Sequence, residues 1–344
     1  MLIGNHTVGD GHKAFIIAEI AQAHDGSLGL AHAYIDAVAE AGADAIKFQT
    51  HIAEAESSPG EPFRVNFSYE DKTRYDYWKR MEFTQVQWAG LADHAAEKNL
   101  VFLSSPFSFE AVTLLQSLSV PAWKVGSGEV FNPLLLQRLK ETQLPIIAST
   151  GMSTLDDVMR LLVSFSDYEP GFAVMQCTTM YPTPLDYVGM ENVQLYRDIG
   201  GTVVGLSDHS GQITPSQIAI ARGANIIEVH VTFDKGMFGP DTSSSIDMDE
   251  LSALVQFSKD VICIDQPIKQ KNVVSEELSS LKQMFGKALI AEQNIDAGCE
   301  VTLAHLGARK PMNGIPVDQF ESLLNKKAKR VIVKGERLDW DDFI

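Results

Sequence analysis

Cysteine is scarce. Cys177, Cys263 and Cys299 are the only three among 344 residues. They are widely spaced, no pair has zinc-knuckle spacing, and an odd count argues against a disulfide framework. Reduced and mostly buried thiols are expected at all three. Positive charge is in short supply too: 28 Lys and Arg stand against 45 Asp and Glu, a formal net charge of −17. That excludes the basic footprint on which nucleic acid binding depends. It does not exclude a small anionic substrate, because a few lysines and a metal ion in one pocket override the global field. Long apolar runs are missing, none approaching the roughly 20 residues needed to span a bilayer. The N-terminal MLIGNHTVGDGHK lacks the basic-then-apolar pattern of a secretory signal, so a cytoplasmic protein is expected. There is no solenoid period, and no GxGxxG follows the first expected strand, which argues against a doubly wound dinucleotide-binding sheet.

What is present suits a globular protein with a large core: 45% apolar and 21% charged residues. Short strands, apolar nearly throughout, alternate with amphipathic helices. The expected strands are Ala14–Ile20, Ala45–Gln49, Val101–Ser104, Ala122–Val125, Pro145–Ser149, Ala173–Cys177, Thr202–Leu206 and Ile226–His230. Such runs suit parallel strands buried on both faces. Leu30–Ala41, Thr84–Lys98 and Leu155–Phe165 carry apolar residues at helical spacing, and Ser153-Thr-Leu-Asp156 reads as a helix start. Eight strands with intervening helices over about 250 residues predict an α/β fold, a (β/α)₈ TIM barrel. His51–Phe83 reads as a long insertion after the second strand, equally a substrate lid or a solvated excursion. The expected domains are a barrel over 1–265, a linker over 266–284 and a small domain over 285–344, with strands at Lys287–Ala291 and Val331–Val333. So small a domain would lean on the barrel or on a partner subunit.

Polar residues gather at the C-terminal ends of the expected strands, the active face of such a barrel. In strand order these are Glu19, with His24 and Asp25 beyond; Lys47 and Gln49; Ser104, Ser105 and Ser108; Lys124, Ser127 and Glu129; Ser149-Thr-Gly-Met152; Thr178, Thr179 and Tyr181; Ser207-Asp-His209; and Glu228 and His230, with Asp241 in the loop after them. Singly each is weak, since a strand-end lysine is usually a rim charge and a lone histidine usually a hydrogen-bonded core residue. Jointly they are stronger. Lys47 and Lys124 sit within apolar strands, where an unpaired ammonium is costly, and a bound anion would satisfy them. Ser, Thr and backbone N–H groups around Ser149-Thr-Gly151 add donors for phosphate or carboxylate. His209 and His230, from neighbouring strands, could converge on a divalent ion such as Mn²⁺ or Mg²⁺. The plainer reading is two hydrogen-bonded histidines without metal.

Together these residues resemble the sialic acid (N-acetylneuraminate) synthase family, the phosphoenolpyruvate-dependent nonulosonic acid synthases. The matching segments are AEIAQAHDG (Ala18–Gly26), IKFQT (Ile46–Thr50), SSPFS (Ser104–Ser108), KVGSGE (Lys124–Glu129), STGM (Ser149–Met152), CTTMYPTP (Cys177–Pro184), GLSDHS (Gly205–Ser210) and GPD (Gly239–Asp241). The C-terminal region resembles the antifreeze-like (SAF, β-clip type) domain of these enzymes, with Lys310-Pro-Met-Asn-Gly-Ile315 as its signature loop. The resemblance implies a transferase that condenses phosphoenolpyruvate with an N-acylated hexosamine aldehyde, N-acetylmannosamine or a related sugar, for surface polysaccharide biosynthesis. It implies that Lys47, Lys124, Ser127, Ser149 and Ser207 hold phosphoenolpyruvate and that His209 and His230 ligate Mn²⁺ or Mg²⁺. Glu19 and Glu129 would contact the acceptor or a metal-bound water, and Tyr181 and Asp241 the acceptor sugar. Gln49, Ser105, Thr179, Arg309 and Lys310 complete the expected substrate contacts. A domain-swapped homodimer is implied, each C-terminal domain covering the other subunit's site.

The departures gather around the expected acceptor side: Ala21 and Ala23 in the first motif, Thr179 before the Tyr-Pro pair, Val229 in place of a basic residue, and Lys310, preceded by Arg309, where the family has Arg. Two alternatives remain at this level. One is an octulosonate- or heptulosonate-phosphate-type synthase, whose second phosphate would call on Arg64, Arg74 and Arg80. The other is a non-catalytic sugar-binding protein.

Overall fold

The computed structural model describes residues 1–63, 65–201, 203–264 and 271–344. Arg64, Thr202 at the start of an expected strand, and residues 265–270 at the start of the expected linker lie outside the described residues. The chain divides into two compact units, Met1–Ile264 and Asp265–Ile344. No helix among the described residues is long and apolar enough to cross a membrane.

The first unit is a (β/α)₈ barrel. Its strands are β1 (Phe15–Ala21), β2 (Ala45–Thr50), β3 (Val101–Pro106), β4 (Trp123–Val125), β5 (Ile146–Ser149), β6 (Phe172–Cys177), β7 (Val203–Asp208) and β8 (Ile226–Val231). All neighbouring ladders are parallel, in the order β3-β2-β1-β8-β7-β6-β5-β4. β3 and β4 run side by side and nearly close the circle. Helices with polar outer faces follow the strands. Their starts are set by hydroxyl caps: Ser27, Thr84, Ser108 and Thr154 each accept a backbone N–H of the first turn, and Asp157 closes a capping box with Thr154.

Two-residue alternation sorts each strand into an outer and an inner face. Outward residues such as Ile16, Ala18, Ile20, Ile46, Trp123, Ile227 and Val229 form the main core with the helices. Inward, a second cluster joins Phe15, Ile17, Ala45, Leu103, Ala122, Ile147, Ala173, Met175, Val203 and Ile226. An N-terminal hairpin, Leu2–Ile3 with His6–Thr7, adds Ile3 and Val8 to that cluster and plugs the barrel floor. One alternation step higher the inward residues turn polar: Glu19, Lys47, Lys124, Ser149, Ser207 and Glu228, all buried. The site is therefore the upper layer of a packed barrel.

The insertion after β2 has its own small core. Helix Arg74–Met81 packs Tyr77, Trp78 and Met81 on Ala53, with Phe63, Phe67 and Tyr75 alongside. Arg80 pins it to the loop after β1, donating to Asp25 at 2.7 Å, and pairs with Asp71 at 2.9 Å within the insertion. Tyr69 and Phe67 meet Phe238 of the loop after β8, at centroid distances of 5.6 and 6.3 Å. So the insertion reaches the loops of both β1 and β8.

In the second unit β9 (Ala288–Ala291) pairs antiparallel with β10 (Leu306–Arg309). Leu289, Ile295, Val301, Ile315, Leu323, Ile332, Leu338 and Phe343 form its core. Two expectations need correction. Part of the stretch read as a linker is helical, Lys271–Glu277 and Ser279–Phe285. Val331–Val333 is not a strand: Ile332 makes one isolated bridge to Ile295, while Val331 and Val333 are exposed. Beyond the β9–β10 ladder, single bridges between irregular segments tie the described residues of this unit.

Candidate active site

Four buried charges occupy the barrel mouth. Lys47 on β2 pairs with Glu19 on β1 and donates to Ser105 Oγ at 3.2 Å. Lys124 on β4 donates to Ser149 Oγ at 2.7 Å and lies 3.2 Å from Glu228 Oε1. Glu228 joins the two halves, with its Oε2 3.9 Å from Lys47 and its Oε1 accepting from Ser207 at 3.0 Å. The sequence reading that the lysines lack partners is thus corrected: two carboxylates satisfy them. Glu228 was expected at the active face but given no role there, and the alternation Glu228-Val-His230 sets it on the same face as His230.

The charges are unequal. Burial pushes the Glu19 carboxyl up to about 7 despite Lys47 beside it. At Glu228 burial also acts upward, but Lys124 and Lys47 outweigh it and hold the group well below the usual carboxylate range. Burial works against the charge on Lys47, yet Glu19 and Glu228 keep its pKa above the ordinary value. At Lys124 burial prevails and the pKa falls. A mouth with two cations, one firm anion and one readily protonated acid accepts further negative charge at little cost.

Beside the lysines lies a nest of small groups. The Gly151 N–H donates to Ser127 Oγ at 3.0 Å, and Ser127 approaches the Cys177 sulfur at 3.6 Å. A Cβ on Gly151 would stand 2.8 Å from both Cys177 Sγ and Ser127 Oγ, so only glycine fits. Thr179 Oγ1 is buried without a hydrogen-bond partner among the described residues.

His209 and His230 do converge, their ring centroids 5.2 Å apart. His209 Nδ1 donates to the Thr178 carbonyl at 3.0 Å, which leaves Nε2 as the lone-pair nitrogen, 3.2 Å from the Tyr181 hydroxyl. Tyr181 stacks on His209 at 4.2 Å. Asp241 Oδ2 lies 3.9 Å from His230 Nδ1. Burial lowers the pKa of both histidines, so both are neutral and able to ligate. Among the described residues no three His, Cys, Asp or Glu side chains form a complete ligand set. Two imidazoles, with other positions left to water or substrate oxygen, fit a hard divalent ion such as Mg²⁺ or Mn²⁺.

Other expected residues fall less centrally. Gln49 donates to Glu19 Oε1 at 3.3 Å. Glu129 is half-buried on the loop after β4, accepts from Asn132 at 3.1 Å, and is raised in pKa by burial. His24 is buried among Phe48 and Phe83, and burial drives its pKa down to about 3. Val229 is no acceptor contact: it points outward into the barrel–helix core. Arg309 and Lys310 belong to the second unit, where Lys310 lies over the Phe285 ring at 5.3 Å and Arg337 holds the carbonyls of Lys310, Pro311 and Asn313.

Residues 34–266 match the NeuB family. The chain belongs to the NeuB family. Residues 286–344 match the SAF domain, so the second unit carries it. The chain is 31% identical to the N,N'-diacetyllegionaminic acid synthase of Campylobacter jejuni, over 92% of this chain and 96% of that protein. It is 31% identical to the mouse (Mus musculus) N-acetylneuraminate-9-phosphate synthase, over 96% of this chain and 92% of that one. Among solved structures it is similar to the N-acetylneuraminic acid synthetase of Leptospira borgpetersenii, with a TM-score of 0.71 and 28% identity, covering 82% of this chain and 97% of that one. These relatives differ in the product their names give, and of the departures from the family motif Ala21 ends β1 and Thr179 lies beside Gly151, whereas Ala23 packs against the barrel–helix core.

Proposed function

We propose that this chain is a nonulosonic acid synthase, a transferase that joins phosphoenolpyruvate to an N-acylated hexosamine aldehyde, with water, and releases phosphate. The observation that carries this reading is the buried Lys47–Glu19–Glu228–Lys124 array beside two neutral histidines, in the mouth of a NeuB-family barrel. Lys47, Lys124, Ser127, Ser149 and Ser207 bind the phosphate and carboxylate of phosphoenolpyruvate. His209 and His230 would hold Mn²⁺ or Mg²⁺, and the ion would supply Lewis-acid polarisation of the acceptor's aldehyde. Glu19 or Glu129 orients a water and takes its proton, a role that suits carboxyls whose pKa is raised toward neutrality by burial. Carbon-3 of phosphoenolpyruvate attacks the aldehyde carbon, and water adds at carbon-2. The resulting hemiketal phosphate expels phosphate with its bridging oxygen, leaving a 2-keto acid. The lysines favour the anionic groups throughout by fixed charge.

Tyr181 and Asp241 contact the acceptor. Gln49, Ser105 and Thr179 complete its surroundings. Arg309 and Lys310 act from the SAF domain of a partner subunit in a domain-swapped homodimer. A phosphorylated aldose is disfavoured because Arg74 pairs with Glu61 at 3.2 Å and Arg80 with Asp25 and Asp71. The test is phosphate release from phosphoenolpyruvate against a panel of N-acylated hexosamines, with and without divalent metal. Acceptor-dependent release that chelation abolishes supports the assignment. Release independent of every acceptor refutes it.

A further inference from the structure

His51, just beyond β2, is buried and held on four sides. Its ring lies between Trp78 and Phe107, with centroids 3.7 and 4.3 Å away and planes within 10° of parallel. In the ring plane, Nδ1 meets Glu56 Oε1 at 2.6 Å and Nε2 meets Gln49 Oε1 at 3.1 Å. Gln49 in turn donates its amide nitrogen to Glu19 Oε1 at 3.3 Å, and Glu19 pairs with Lys47. Trp78 and Glu56 both belong to the insertion, whereas Gln49, Glu19 and Lys47 line the barrel mouth.

From this chain of contacts we infer that His51 is a positioning residue, through which the insertion fixes the Gln49 amide and, by it, the Glu19 carboxylate. The physical argument is directional. A glutamine amide has one accepting and one donating end, and either end can face a given neighbour. Gln49 donates to Glu19 only if its oxygen faces His51, and that oxygen then needs an N–H on Nε2. Glu56 sets the ring's protons through its 2.6 Å contact with Nδ1: with two protons on the His51–Glu56 pair Nε2–H donates to the Gln49 oxygen, and with one, on Nδ1, Nε2 accepts from the Gln49 amide and the amide turns over. The two flanking rings hold the imidazole plane, so both nitrogens aim at their partners without freedom to rotate. Partners that orient a reacting group in this way are commonly worth 10- to 100-fold in activity. The insertion is therefore a built part of the mouth.

This inference rests on the proposed function for the purpose of Gln49 and Glu19, but the position of the amide is readable without any reaction. His51→Phe keeps the three-ring stack and removes both hydrogen bonds. Its kcat for condensation should fall about 10- to 100-fold with the KM for phosphoenolpyruvate unchanged. Gln49→Leu should fall similarly, and the Gln49→Leu/His51→Phe double variant should be no slower than Gln49→Leu alone, because His51 acts only through Gln49. Glu56→Gln, a gentler change that leaves the rings in place, should give a smaller loss of the same kind. The Gln49 side-chain NH₂ resonances of the intact protein should shift and exchange faster in both His51→Phe and Glu56→Gln. Losses that multiply in the double variant, or Gln49 resonances unmoved in both single variants, overturn the inference. If no acceptor is condensed by the wild type while the Gln49 resonances still depend on His51, the proposed function fails and the positioning role stands.

Discussion

The floor and the mouth of this barrel are built from the same eight strands, two residues apart, and are opposites. On β1 the inward residues run Phe15, Ile17, Glu19; on β8 they run Ile226, Glu228; on β5, Ile147, then Ser149. The floor is apolar and plugged by Ile3 and Val8. The mouth is equally buried and holds two lysines and two glutamates. Burial at the floor stabilises by the apolar area removed from water. Burial at the mouth costs desolvation that the ion pairs only partly offset. One layer makes the barrel fold, and the other is a strained charge array retained for what it binds. The two should separate cleanly under mutation.

The largest effect is expected at the mouth. Lys124→Met should lower kcat/KM for phosphoenolpyruvate about 100-fold or more, since one preorganised electrostatic contact is commonly worth that much. It should also destabilise the fold by roughly 3 kcal/mol, because Glu228 loses its nearer cation. Adding Glu228→Gln should restore most of the stability and none of the activity. Urea melts and phosphate-release kinetics on the same preparations read both. Recovery of activity in the double variant would break the comparison.

At the floor, Ile147→Ala should cost about 2–5 kcal/mol through the cavity it leaves, with kcat per folded molecule unchanged. A kcat loss comparable to that of Lys124→Met would mean that floor and mouth are not separable.

The pH dependence sharpens the contrast. The Glu19 pKa is raised by burial from 4.5 to about 7 in the folded state, so between those values the native protein binds a proton that the unfolded chain has released. Its contribution to stability is therefore full below 4.5 and is lost as pH rises through about 7. Thermal unfolding of the wild type should show a loss over that window that Glu19→Gln lacks. Equal slopes in both proteins would remove Glu19 as its source.

The smallest effect concerns the edge of the mouth. Ala21 adopts a φ of +45° at a bulge in β1. Ala21→Gly should stabilise by about 1 kcal/mol, since a Cβ is costly in that region. No gain in the unfolding midpoint would mean the bulge is relaxed.

Much of this was legible in sequence because parallel barrel strands are short, apolar and punctuated, and because polar residues at their ends recur in order. The eight strands, the helix start at Ser153–Asp156 and the convergence of His209 and His230 follow from those patterns. What was missed involves pairing across strands. Lys47 and Lys124 read as lacking partners because the link to Glu228 depends on the register of β8 against β1 and β7. Val229 read as site-facing until alternation set it outward. The clamp on His51 joins Trp78 and Phe107, 27 and 56 residues further on, and no local pattern announces it. In the SAF-domain unit, isolated bridges leave no alternation to read, so Val331–Val333 looked like a strand.

The most direct measurement uses phosphoenolpyruvate carrying oxygen-18 in its bridging position, an N-acylated hexosamine that supports turnover, and divalent metal. Attack by carbon-3 and addition of water at carbon-2 require the carbon–oxygen bond to break. The label should therefore leave entirely with phosphate, and the new 2-keto acid should carry solvent oxygen at carbon-2. Label retained in the organic product, or pyruvate formed in place of the condensed acid, would contradict the account.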